Sequence, residues 1–180
     1  LGMYLRIALS LLIDGDWTDT ACFFQDIPLS KRISQKETQE IWQKCIYNFE
    51  QYLKNEIQNN PDNGNQLNSF RQEISDSCRK AAETNQKLYR LTVPTGAGKT
   101  LSSLRFALYH ARKEQKNRII YVAPFTSILE QNAEEIRKAT GLPSAVLEHH
   151  CNVICEEGEE EKYRNLTEIW DSPIIVTTAV

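Results

Sequence analysis

One short segment restricts this chain's fold more than any other. Val93-Pro94-Thr95-Gly96-Ala97-Gly98-Lys99-Thr100 follows an apolar run, Leu88 to Val93, that reads as a strand. It leads into Thr100 to Lys113, where Leu101, Leu104, Ala107, Leu108 and Ala111 share one helical face. A strand that turns through two glycines into a helix places several backbone N–H groups at a helix N-terminus, where they attract anionic oxygens. Gly96 and Gly98 allow positive φ and close approach of a ligand. Lys99 supplies a point charge for β- and γ-phosphates, and the Thr100 hydroxyl is a ligand for Mg2+. Pro94 stiffens the exit from the strand. Pro94, Thr95, Gly96, Ala97, Gly98, Lys99 and Thr100 are therefore the candidate ATP-binding residues, with Lys99 and Thr100 the catalytic pair. The general pattern G-x-x-x-x-G-K-[ST] is missed at its first position, which is Val93. The bland alternative is a Gly-rich turn with no ligand, and the flanking strand and helix argue against it.

The rest of the chain extends the alternation. Helices are predicted over Ser69 to Thr84 and Ser127 to Ala139, and strands over Arg118 to Ala123, Ala145 to Glu148 and Ile174 to Thr178. Strands alternating with helices predict an α/β fold with a parallel sheet covered by helices. Further upstream, Ser34-Gln35-Lys36-Glu37 has the form of a capping box. Ile41, Cys45, Ile46, Phe49, Leu53 and Ile57 continue at helical spacing toward Asn59. Asn60 to Asn65 is turn-rich and marks the best boundary. Leu5 to Ile13 is apolar on nearly all sides and predicts a buried helix, followed by a mixed loop to about Ile33. The acidic run Glu156 to Glu161 reads as a solvated face.

Composition narrows the setting. A net charge of −3 over 180 residues gives no global attraction to nucleic acid, so any such contact needs a local patch. Five cysteines, odd in number and scattered, fit free thiols in a reducing compartment. The apolar start is too short to span a membrane, and no small-residue cleavage site follows it. The expectation is a cytoplasmic protein with no membrane partner.

The loop fits the shorter T-G-x-G-K-T form and so resembles that of superfamily 2 helicases. Ala123-Pro124-Phe125-Thr126-Ser127-Ile128-Leu129-Glu130-Gln131 resembles helicase motif Ia, which implies nucleic-acid contacts from Pro124, Thr126, Ser127 and Gln131. Thr126 or Ser127 is also placed to cap the helix. Thr177-Thr178 resembles motif Ib, although threonine favours strands in any case. Gln72 is a candidate reader of adenine and Arg71 its rival, an exposed helix position being the alternative. His149, His150, Cys151 and Cys155 match no zinc template, so structural or DNA-proximal histidines are favoured.

The longer strings go further. Residues 91–108 and 118–133, together with Val146-Leu147-Glu148-His149-His150 and Trp170 to Thr178, are similar to the CRISPR-associated helicase–nuclease of type I systems, closest to the type I-C branch. The resemblance covers residues 67–180 strongly. It implies a RecA-like P-loop lobe over 67–180, a linker helix and loop over 34–66, and the C-terminal tail of an HD nuclease domain over 1–33. On that alignment Asp16, in Leu12-Ile13-Asp14-Gly15-Asp16-Trp17, is the HD-site metal ligand. On the residues alone, Asp14 and Asp16 are two acids at a helix end. The resemblance implies ATP and Mg2+ for the motor and a divalent transition metal for the nuclease. It implies single-stranded DNA as substrate and an RNA-guided CRISPR surveillance complex as partner. The acidic motif and second lobe expected of such a motor would lie beyond Val180, so this chain alone is expected to bind nucleotide without unwinding. A restriction-type superfamily 2 translocase and a non-enzymatic nucleotide-binding copy remain the other readings.

Overall fold

The structure, a computed structural model, describes residues 2–25, 33–59, 66–150, 170 and 172–178. It divides into two compact units, Leu1–Ile33 and Ser34–Val180.

Among the described residues, the first unit holds one helix, α1, Gly2–Gln25. The sequence predicted a loop after Ile13; the helix instead continues through Asp14, Gly15 and Asp16. A glycine in a helix interior costs about 1 kcal/mol but does not break it, and no proline occurs before Pro28. Tyr4, Leu5, Leu11 and Leu12 are exposed on it. Among the described residues, no helix is long and apolar enough to cross a membrane.

The second unit opens with α2, Gln35–Asn59. Its start is the predicted capping box. The Ser34 amide donates to Glu37 Oε2 at 2.8 Å, and the Glu37 amide donates back to Ser34 Oγ at 3.3 Å. Both free backbone donors are thereby satisfied. Helix α3 spans Gln66–Ala82, and Lys113 closes its end by donating to the carbonyls of Glu83 and Thr84 at 2.8 and 3.0 Å. Helix α4 covers Lys99–Lys113, strand β1 Ile119–Ala123 and helix α5 Thr126–Thr140. A short 3-10 turn, Pro143–Ala145, leads to β2, Val146–His149, and β3 covers Ile174–Thr178. The Asn60 to Asn65 boundary and the acidic run fall outside the described residues.

The three strands form a parallel sheet in the order β1-β3-β2. The central strand is covered on both faces, with Ile174, Ile175 and Val176 fully buried. Such a continuous apolar run is what a parallel strand between two layers requires.

The expected strand Leu88 to Val93 is absent from this sheet. A strand needs a ladder partner for its backbone groups, and among the described residues the three strands pair only with each other. Leu88 is exposed, and the other apolar side chains of this run go to the helical layer. Leu91 and Val93 pack on Ile74, Cys78 and Ala97, and the Tyr89 ring lies 4.7 Å from that of Phe106.

Helix α2 supplies a large part of the core. Trp42, Cys45 and Phe49 are fully buried against Leu104 and Leu108 of α4, Leu129 and Ile136 of α5, and the sheet. Directed bonds fix its position. Trp42 Nε1 donates to the Lys116 carbonyl at 2.8 Å, and Asn48 Nδ2 donates to the Thr140 carbonyl at 2.8 Å. Burial pushes the Cys45 thiol up to about 12, and Cys78 is raised for the same reason. Both are free thiols and stay protonated and unreactive at neutral pH.

Candidate nucleotide-binding site

The phosphate-loop geometry begins with its glycines. Gly96 has φ +80° and Gly98 φ +74°, a region that L side chains adopt only at a cost. Gly98 is the N-cap of α4 and brings no side chain to cap it. The first helical amide to find a carbonyl is that of Ser102, which donates to Gly98 at 3.0 Å. The N–H groups of Lys99, Thr100 and Leu101 therefore have no partner within the helix and carry its positive end. A Cβ on Gly96 would meet nothing within 4 Å, so the space above the loop is open. Ala97, only 2% exposed, anchors the loop from below in the cluster with Ile74 and Cys78. Lys99 is exposed and makes no ion pair among the described residues. Pro94 and Thr95 are exposed at the entry to the turn. Open amides, a helix N-terminus and an unengaged ammonium together form an anion site suited to a polyphosphate.

Two polar contacts hold this loop from outside. Arg71 of α3 donates to the Gly96 carbonyl through Nε at 3.0 Å and Nη2 at 2.8 Å. Its stem passes 3.7 Å from where a Gly98 Cβ would sit. Its neighbour Gln72 is exposed and is not hydrogen-bonded to the loop. The second contact joins helices: Thr100 Oγ1 donates to Asn132 Oδ1 of α5 at 3.0 Å. Sequence reasoning missed Asn132. Its signal was a lone amide on the buried stripe Leu129, Asn132, Ala133 and Ile136. A single hydroxyl ligand suits Mg2+, which draws its other ligands from phosphate oxygens and water.

The candidate nucleic-acid residues gather at the C-terminal edge of the sheet. In register, Ala123 of β1 faces Thr178 of β3, and Thr177 faces His149 of β2. Pro124, Ser127 and Gln131 are exposed and Thr126 half-buried just past the end of β1. The sequence suggested a Thr126 or Ser127 cap; the N-cap is instead Phe125, with no side-chain cap bond. The reason is that the chain is still extended at Phe125, with φ −134°, so both hydroxyl residues already lie inside the first turn. The Thr177 hydroxyl is engaged, donating to the His149 carbonyl at 2.9 Å.

The histidine pair is held by its neighbours. Trp170 Nε1 donates to His149 Nδ1 at 2.9 Å, and His150 Nε2 lies 2.9 Å from Glu148, which also binds Arg137 at 3.0 Å. No group of three metal-ligating side chains occurs among the described residues, while Cys151 and Cys155 lie outside them. Asp14 and Asp16 sit within α1.

Residues 64–179 match the type III restriction enzyme, res subunit. The chain belongs to this family. No curated protein matches it. The family places the second unit as a RecA-like lobe of the superfamily 2 helicase type. That assignment brings ATP and Mg2+ as cofactors and nucleic acid as the class of partner, which fits a phosphate loop at the start of α4.

Proposed function

We propose that this chain is the nucleotide-gripping lobe of an ATP-driven DNA motor. The observation that carries this reading is the open cradle over Gly96 and Gly98 at the start of α4, with Lys99 unengaged beside it. The amides from 96 to 100 hold the phosphate oxygens, and Lys99 offsets charge at the β- and γ-phosphates. Arg71 holds the Gly96 carbonyl away from the ligand, so that the loop presents donors rather than acceptors. Thr100 takes the Mg2+, which when bound neutralises charge on the transferred phosphoryl group. The edge formed by Pro124, Thr126, Ser127, Gln131 and Thr178 takes the DNA backbone.

At a finer level we favour a CRISPR-associated helicase–nuclease. The support is the run of similar strings at 91–108, 118–133, 146–150 and 170–178. On that reading residues 1–33 are the tail of an HD nuclease domain, Asp16 is a metal ligand, and an RNA-guided complex delivers single-stranded DNA. The family match over 64–179 equally supports a restriction-type translocase.

Binding of a fluorescent ATP analogue by the chain and by Lys99→Ala tests the core of the proposal. Affinity is expected to fall at least about tenfold, the loss of one charge-assisted contact set, with the melting temperature unchanged. Equal affinity refutes it. The two finer readings separate on stimulation of the protein's ATP turnover. Single-stranded DNA and a target-bound RNA-guided complex stimulate the first, and duplex DNA alone the second.

A further inference from the structure

Thr100 and Asn132 make the least expected contact in the second unit. It joins the first turn of the phosphate-loop helix to the middle of α5, across 32 residues of sequence. Asn132 is 8% exposed and sits among Leu129, Ala133 and Ile136, which are fully buried. A buried amide in such a stripe is costly unless its polar atoms are used, and its carbonyl oxygen is used on one hydroxyl.

The direction of that bond matters chemically. A threonine hydroxyl has one proton and two lone pairs. The proton goes to Asn132 Oδ1 at 3.0 Å, so neither lone pair is spent on a donor there. The hydroxyl is fixed in rotation with its lone pairs turned from Asn132. A cation ligand needs this arrangement, and partners of a ligand commonly set its orientation and basicity. We infer that Asn132 is a positioning residue that aims the Thr100 hydroxyl at the nucleotide-bound Mg2+. The inference rests on the phosphate-loop assignment and adds to it a residue from α5, outside the loop and its helix.

The test is binding of a fluorescent ATP analogue, titrated at varied free Mg2+ and in EDTA, with the unaltered chain, Asn132→Leu, Asn132→Asp, Thr100→Ala and Thr100→Ala/Asn132→Leu. Asn132→Leu keeps the volume and removes the acceptor. It is expected to raise the half-saturating Mg2+ concentration about tenfold. Affinity in EDTA should stay within about twofold, because phosphate contacts from the loop are untouched. Asn132→Asp keeps an acceptor and should retain the Mg2+ response. In the Thr100→Ala background the Mg2+ response is already lost, and adding Asn132→Leu should change nothing further.

A Mg2+ response in Asn132→Leu equal to that of the unaltered chain overturns the inference, as does an effect that adds to Thr100→Ala. If Asn132→Leu loses its cooperative melt, Asn132→Asp decides alone: a lost Mg2+ response matching Thr100→Ala overturns the inference, and a retained one supports it. Absence of any nucleotide binding by the unaltered chain overturns the phosphate-loop assignment as well. Binding that depends on Lys99 but ignores Asn132 overturns this inference only.

Discussion

Removing Arg105 is expected to cost the second unit about 3 kcal/mol. The guanidinium is nearly buried, with its side chain 7% exposed. It donates to both Glu50 oxygens at 2.8 and 2.9 Å, to Asp76 at 2.8 Å and to Ser75 Oγ at 3.0 Å. The Tyr109 hydroxyl adds a bond to Glu50 at 3.0 Å. Burial disfavours the charge on Arg105, but Glu50 and Asp76 outweigh it and raise the pKa above the ordinary arginine value. Breaking a buried pair by deleting one partner costs roughly 3–5 kcal/mol, because the remaining charge is stranded. Here the stranded acids are partly wet, with Glu50 24% and Asp76 49% exposed, which points to the lower end. Arg105→Met keeps much of the apolar stem, so the loss reports the charge and not the packing. For a unit of this size about 3 kcal/mol corresponds to roughly 10 °C in melting temperature.

The same geometry ranks the neighbours. Glu50→Gln should cost about 2 kcal/mol, since two short bonds to a buried cation weaken. Asp76→Asn should cost under about 1 kcal/mol, as befits a half-exposed partner. Urea denaturation followed by far-UV circular dichroism gives each value by linear extrapolation, with an unchanged slope as the check that only stability moved. A loss below about 1 kcal/mol for Arg105→Met, or a larger loss for Asp76→Asn than for Glu50→Gln, refutes the reasoning.

Two further outcomes follow from single contacts. Burial first, and Glu56 second, raise the pKa of Glu135 above the ordinary carboxylate value. Its folded state therefore binds a proton more tightly than the unfolded chain, and its contribution to stability is lost as pH rises through the folded pKa. Glu135→Gln should raise the melting temperature at pH 7.5, with the gain shrinking toward pH 4; a gain independent of pH contradicts this. Gly141 closes α5 at φ +60°, and a Cβ there would lie 2.8 Å from Asn48 Nδ2. Gly141→Ala should cost about 2 kcal/mol, about half of it backbone strain and half the lost bond to Thr140. In an Asn48→Ala background only the strain should remain, and an undiminished cost in a double-mutant cycle would rule the contact out as its cause.

The sequence revealed features whose causes are local. The capping box, the glycines of the phosphate loop and the β-branched runs at Ile119–Ala123 and Ile174–Thr178 each depend on residues a few positions apart. The parallel sheet then followed from their alternation with helices. What stayed hidden depends on tertiary partners. Leu88 to Val93 has strand composition, but Tyr89, Leu91 and Val93 pack against residues of α3 and α4 and Leu88 stays exposed. The helical period of α2 was legible, whereas its contacts with Lys116, Thr140 and Arg105 were not. The apolar run ends at Ile13 and a loop was expected there, yet without a proline the helix continues past it. Arg71 and Asn132 reach the loop from helices distant in sequence, and periodicity carries no information about which buried or edge residue meets which.

One helix connects the two candidate sites. Its start, Thr126 to Gln131, carries proposed DNA contacts, and Asn132 follows at once with its bond to Thr100. On either side of Asn132, Leu129 and Ala133 are fully buried, so the helix is seated in close-packed core. Close-packed elements transmit a displacement because no void absorbs it. Substitutions of the apolar residues of this stripe, such as Leu129 or Ala133, therefore disturb the nucleotide end and the DNA end together and cannot assign a role to either. Only residues that touch one end alone can separate them: Lys99 for the phosphates, and exposed Ser127 or Gln131 for the DNA backbone. Asn132 falls between these groups, which is why its effect has to be read from the Mg2+ response and not from turnover.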